Sequence, residues 1–148
     1  MDVTEKDLAW LAGLSDGESC VRIEKKKGKR GTFVNYRLAF EINMVHKETI
    51  LRIFDILKVG SIFKKTSKNP KARISWVWKV NCSNAKIVLK LLYPYVVTKK
   101  KEFEIALQFI NLLRTDKSNV TKFTKEEMKL REKLYLDLKE AKKYEWKD

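Results

Sequence analysis

The sequence predicts an α+β fold in which helices cover one face of an antiparallel sheet, and three observations carry that prediction. Hydrophobic spacing switches along the chain between a helical period and a period of two, in the order helix, two strands, helix, two strands, helix. The strand segments alternate apolar with polar side chains, as a sheet covered on one side requires. The 148 residues hold no long Gly/Ser linker and suit a single domain with its own core. The core is expected over about residues 4–113, with a C-terminal helical extension over about 122–145.

Thr4 followed by Asp7 resembles a capping box, opening a helix with Leu8, Leu11, Ala12 and Leu14 on its apolar side. That helix is expected to run to Asp16, leaving Glu18 just past its end. From Cys20 the period becomes two: Val21 and Ile23 point one way, while Cys20, Arg22, Glu24 and Lys26 point the other. The basic connection from Lys25 to Gly31 reads as a hairpin loop. In the next strand Tyr36, Leu38, Phe40 and Ile42 form an apolar face opposite Asn35, Arg37, Glu41 and Asn43.

Residues 46–58 read as a helix through Ile50, Ile53, Phe54 and Leu57, ended by Val59-Gly60. Two strands follow, Ser61–Lys65 and residues 73–82. In the second, Ile74, Trp76, Trp78 and Val80 are assigned to the core and Arg73, Ser75, Val77 and Lys79 to the other face. Ser83 is expected to cap a helix over residues 84–92 that Pro94 stops. A further helix contains Phe103, Ile105, Ala106, Phe109, Ile110 and Leu113. A last one, capped by Thr124 with Glu127, carries Met128, Leu130, Leu134, Tyr135 and Leu138.

Charge points to the class of partner. Lys+Arg number 33 against 19 Asp+Glu, a net charge of +14, which suits a polyanion, nucleic acid first among them. No apolar run approaches the roughly 18 residues of a membrane span, so no membrane partner is expected. The start of the chain has no signal-peptide pattern, and Cys20 and Cys82 have no metal-ligand spacing, so an intracellular address with reduced thiols is expected. That address is cytoplasmic or, given the Lys-rich composition, organellar (chloroplast or mitochondrion). The single His46 excludes a His-based metal site within one chain.

The stretch Leu11-Ala12-Gly13-Leu14-Ser15-Asp16-Gly17-Glu18-Ser19 places two glycines four apart on one helical stripe, where another backbone could approach closely. These residues resemble the motif that names the LAGLIDADG homing endonucleases. Positions one to four and six match, and the eighth keeps an acid, Glu18 for the usual Asp. The αββαββα order read from periodicity agrees with the family's core. The resemblance implies a saddle-shaped antiparallel sheet lying on DNA and first helices paired across a two-fold axis. With one motif only, it implies a homodimer, joined through Leu11, Ala12, Gly13 and Gly17.

The resemblance also implies a chemistry. Phosphodiester hydrolysis needs a placed water, neutralised phosphate charge and a stabilised leaving oxygen, which carboxylate-held divalent metals help supply. Glu18, with the Gly17 carbonyl, would hold Mg²⁺, for which Mn²⁺ or Ca²⁺ could substitute. Matching Pro94 to the family's proline puts Lys99 at the catalytic lysine position, with Lys100 and Lys101 close in register. Asp16 is expected to be structural, and Ser19 to matter less.

Arg22, Glu24, Lys26, Asn35, Arg37, Glu41, Lys65, Arg73 and Ser75 are the DNA-binding candidates. Arg suits guanine, Asn adenine, and Glu the cytosine amine. Lys25, Lys27, Lys29 and Lys68, with Lys65, are expected at phosphates. The expected function is therefore site-specific double-strand cleavage of a long, near-palindromic DNA target in intron or intein homing, with no small-molecule substrate. The alternatives are a non-catalytic binder on the same scaffold, as an RNA maturase in intron splicing or a DNA-binding regulator, and a generic basic αβ domain.

Overall fold

A computed structural model describes residues 2–29, 34–112 and 123–143. Nine elements follow one another among them: α1 (Glu5–Glu18), β1 (Ser19–Lys27), β2 (Val34–Met44), α2 (Lys47–Leu57), β3 (Ser61–Lys65), β4 (Ser75–Asn81), α3 (Cys82–Leu92), α4 (Lys100–Asn111) and α5 (Lys125–Ala141). This is the α+β succession expected from the sequence, with the α5 extension at the end. The four strands form one antiparallel sheet in the order β1-β2-β4-β3. Arg30, Gly31 and Leu113, assigned above to the hairpin loop and the fourth helix, lie outside the described residues.

Register sorts the side chains into two faces. Val21 pairs with Phe40 and Phe40 with Val80, while Ile42 pairs with Trp78 and Trp78 with Ile62. Cross-strand partners share a face, so these residues build the covered side. Helices α1 to α4 close over it, contributing Leu11, Ile50, Ile53, Leu57, Val88, Leu89, Phe103 and Phe109 to one apolar cluster. Phe40 sits at its centre, edge-on to both Trp78 and Phe103 at 5.9 and 5.6 Å between ring centroids. Each such fully buried side chain contributes on the order of 2 kcal/mol of apolar burial.

Several local expectations are corrected. Glu18 is the last residue of α1, not the one beyond it; Ser19 closes the helix, its backbone N–H and its hydroxyl both donating to the Ser15 carbonyl. Helix α2 ends on Lys58 in the left-handed conformation (φ 52°). Gly60 is required for the next turn instead. At φ 102° a Cβ there would lie 2.6 Å from Trp78 Nε1, the nitrogen that donates to the Val59 carbonyl. Phe54, Ile74 and Leu130 are exposed, because the covered stripes of α2 and α5 are narrower than their apolar spacing suggested and β4 begins only at Ser75. Helix α3 starts at Cys82 with Asn81 as its cap residue, without a side-chain capping bond, so Ser83 has no such role.

Two caps behave as read. The Thr4 Oγ1 accepts the Asp7 N–H, and Thr124 with Glu127 forms a complete capping box. Helix α5 is fastened from both sides. Arg131, buried, donates to the Leu112 carbonyl at 2.6 Å and lies over the Phe123 ring. Glu132 accepts from Lys25 Nζ at 2.9 Å and from the Tyr36 hydroxyl. Lys25 therefore points to the covered face and anchors α5 instead of reaching a phosphate, since its odd position in β1 shares the side of Val21 and Ile23.

Candidate active site and nucleic-acid interface

The end of α1 meets the start of α4. The Asp16 carboxylate accepts the backbone N–H of Val97 through Oδ2 at 2.9 Å and that of Lys99 through Oδ1 at 3.0 Å. Lys99 in turn donates its Nζ to the Ser19 carbonyl at 2.6 Å. Residues about 80 positions apart are thus locked together, with Lys99 held one residue beyond Glu18 along the chain it contacts. Asp16 is structural, as expected. Lys100 turns away, its Nζ 4.6 Å from the centroid of the Tyr93 ring, and Lys101 is exposed. Of the three lysines, only Lys99 reaches the end of α1.

Glu18 is exposed and has no hydrogen bond or ion pair among the described residues. Gly13 and Gly17 are exposed as well, and a Cβ added to either would meet no neighbouring segment within 4 Å. The glycine stripe is therefore an open face. Leu11 and Ala12 do not belong to it. They are sealed at 0% and 1% exposure in the chain's own core, because the helix turns them toward the sheet. Trp10, near the stripe, is partly exposed beneath the Arg52 guanidinium.

No group of three or more His, Cys, Asp or Glu side chains suited to a metal occurs among the described residues. The donors near the α1 end are the Glu18 carboxylate and backbone carbonyls. That set suits Mg²⁺, which binds through one or two carboxylates and keeps sites for water and phosphate oxygens. Among the described residues one chain leaves one carboxylate uncommitted at the α1 end, because both oxygens of Asp16 are taken by the Val97 and Lys99 N–H groups.

The uncovered sheet face carries Cys20, Arg22, Glu24 and Lys26 from β1; Asn35, Arg37, Ala39, Glu41 and Asn43 from β2; Ser75, Val77, Lys79 and Asn81 from β4; and Ser61, Phe63 and Lys65 from β3. Lys26, Asn35, Arg37 and Lys65 are exposed there. Arg73 is exposed too, but just before β4 and not on it. Arg22, Glu24 and Glu41 are engaged with one another. Arg22 bonds Glu41 at 2.6 Å and Glu24 at 3.1 Å, and Lys79 bonds Glu24 at 3.0 Å.

The charges in this network tune one another. Burial works against the Glu24 carboxylate, yet its bonds to Lys79 and then Arg22 outweigh burial and hold its pKa below the usual range. The bond to Glu41 raises that of Arg22, against partial burial. Lys79 joins this network, although the sequence reading, which assigned it to the same face as Arg73 and Ser75, left it out of the DNA-binding candidates. Asn43 was placed on this face by its alternation in the chain but not singled out for contact, and Phe63 was missed because β3 is too short to reveal its faces. Only its pairing with β4 does so.

Comparisons with known proteins agree with this architecture. The family model described as LAGLIDADG endonuclease matches residues 11–110. No curated protein shows significant sequence similarity. Among solved structures, the archaeal intron-encoded homing endonuclease I-Vdi141I, complexed with DNA, superposes with a TM-score of 0.76 at 20% identity, over 97% of this chain and 90% of that one. The homing endonuclease I-CvuI, in complex with its target in the presence of Ca, gives 0.70 at 18% identity, over 92% and 80%. The meganuclease I-SmaMI, bound to DNA, gives 0.73 at 17% identity, over 93% of this chain but 46% of that one. No helix among the described residues is long and apolar enough to cross a membrane.

Proposed function

From the premise that this chain belongs to the LAGLIDADG endonuclease family, we propose that it is a homodimeric, divalent-metal-dependent, site-specific double-strand DNA endonuclease of the homing type. The observation that carries this reading is the junction of Lys99 with the α1 end beside unpaired Glu18 and the open glycine face. Two chains packed through Gly13 and Gly17 bring two copies of Glu18 toward a common axis, one for each DNA strand. The half-length match to I-SmaMI supports two copies acting together.

Glu18 and the Gly17 carbonyl would hold the metal, with Mg²⁺ as the expected ion. A bound divalent ion supplies a more acidic water and neutralises phosphate charge. Lys99, fixed by Asp16 through its backbone and by Ser19 through its ammonium group, presents positive charge where charge develops on the phosphate. The uncovered sheet face lies in the major groove, where every base pair shows a distinct pattern. Lys26, Arg37 and Lys65 stand free there for bases or phosphates.

The test is incubation of the purified protein with a randomised duplex library and Mg²⁺. Specific cuts that chelation abolishes, and that Glu18→Gln loses while DNA binding persists, support this reading. Specific binding without cuts by the unaltered protein would make it a non-catalytic binder on the same scaffold. Neither cuts nor sequence preference would overturn both.

A further inference from the structure

One row of the uncovered face is unlike the rest. Register places Asn43 opposite Val77 and Val77 opposite Phe63, so an amide and two apolar side chains cross the sheet together. Phe63 lies on the edge strand β3 and is 43% exposed, whereas Val77 beside it is only 1% exposed. In the adjoining row, Ser61, Lys79 and Glu41, the two charged side chains belong instead to the paired charge network. Sequence around β3 is basic, with Lys64, Lys65, Lys68 and Lys71 close by. An exposed apolar ring on an edge strand whose flanking sequence is rich in lysine suits a polyanion that carries an apolar group better than an apolar protein surface.

We propose that Phe63 is a specificity-determining contact for the C5-methyl group of a thymine in the major groove, with the Asn43 amide presented toward adenine in the same stretch. In duplex DNA only thymine offers a methyl group there, and only adenine pairs an amine donor with the N7 acceptor. The face then divides its labour. The network of Arg22, Glu24, Glu41 and Lys79 addresses polar base edges, and the row of Asn43, Val77 and Phe63 addresses A·T pairs. This inference rests on the DNA-endonuclease reading above.

The experiment uses the duplex enriched from the randomised library. Each thymine is replaced singly by uracil, which removes the methyl group and keeps every pairing bond. Affinity is read by fluorescence anisotropy in Ca²⁺, and thermal melting confirms that the variants fold. Uracil at one thymine of each half-site is expected to weaken binding about fourfold, the worth of one buried methyl group. That penalty disappears in Phe63→Ala, persists in part in Phe63→Leu, and is unchanged in either variant at other positions. The proposal is overturned if no uracil position separates the unaltered protein from Phe63→Ala, or if Phe63→Ala weakens all duplexes evenly. An enriched, cleaved target without a uracil effect sinks this contact alone; no enriched target sinks the DNA reading with it.

Discussion

The carboxylate of Asp16 receives the backbone N–H of Lys99 at 3.0 Å, so the last turn of α1 holds the cap residue that precedes α4. With its other oxygen on Val97, it fixes the direction from which the Lys99 side chain approaches the Ser19 carbonyl. Asp16→Ala removes both acceptors. It is expected to lower stability by about 1–2 kcal/mol. It should also slow single-turnover cleavage at least about tenfold, because small misplacements of a catalytic group are costly. DNA affinity should move less than about threefold. Melting, cleavage and binding measured together check this, and equal losses in binding and cleavage would contradict it.

Gly13 offers a separation of folding from association. A Cβ there meets nothing within its own chain, and Ala in a helix interior gains about 0.5–1 kcal/mol over Gly. Gly13→Ala should therefore leave the protomer at least as stable, while Gly13→Leu drives the sedimentation profile from dimer to monomer and abolishes double-strand cuts. A dimer undisturbed by Gly13→Leu would place the contact elsewhere.

Glu24 restrains two cations of the sheet face, Arg22 and Lys79. Glu24→Gln frees Lys79, leaves Arg22 held by Glu41 alone, and removes a negative charge from the face proposed to meet DNA. Nonspecific affinity is expected to rise several-fold, with a salt dependence steeper by about 0.9 in log–log slope for each further phosphate neutralised. Titration of binding against KCl on an unrelated duplex reads this out.

The α5 anchor predicts an acid limb in stability. Bonds from Lys25 and then Tyr36 depress the Glu132 carboxyl below its ordinary 4.5, outweighing burial. A depressed folded pKa means that the contribution is complete above 4.5 and fades as pH falls through the lower folded value. The raised Lys25 value works in the opposite sense, its share being complete below 10.5 and lost as pH climbs through the higher folded value. Glu132→Gln should cost about 0.5–1 kcal/mol at neutral pH, the partners being partly exposed. It should also flatten the acid side of a melting-temperature profile. An unchanged acid limb would mean that other carboxylates, Glu24 among them, set it.

Local order was legible where a single element decides its own form. The helical spacing of Leu8, Leu11 and Leu14, the alternation from Tyr36 to Ile42 and the box of Thr124 with Glu127 each depend on backbone geometry within a few residues. Lys25 shows where this fails. As one of three consecutive lysines it reads as a phosphate contact, and only the docking of α5 against β1 and β2 reveals its partner Glu132, 107 residues away. Leu11 and Ala12 fail for a related reason. A motif marks a helix as one that pairs, but which flank faces the chain's own core depends on how that helix is laid on the sheet.

By itself the sequence determined the succession of elements, the basic character of the surface, the glycine-notched α1 and the acid at its end, because periods of 3.6 and 2 and the sum of charges are properties of the chain alone. The tertiary structure decided the rest. Strand order and register created the Arg22–Glu24–Glu41–Lys79 network and the row through Phe63, and the docking of α4 against α1 selected Lys99 from three neighbouring lysines. Those outcomes depend on contacts between segments far apart in the chain, whose free energies are settled only when all the faces are buried together.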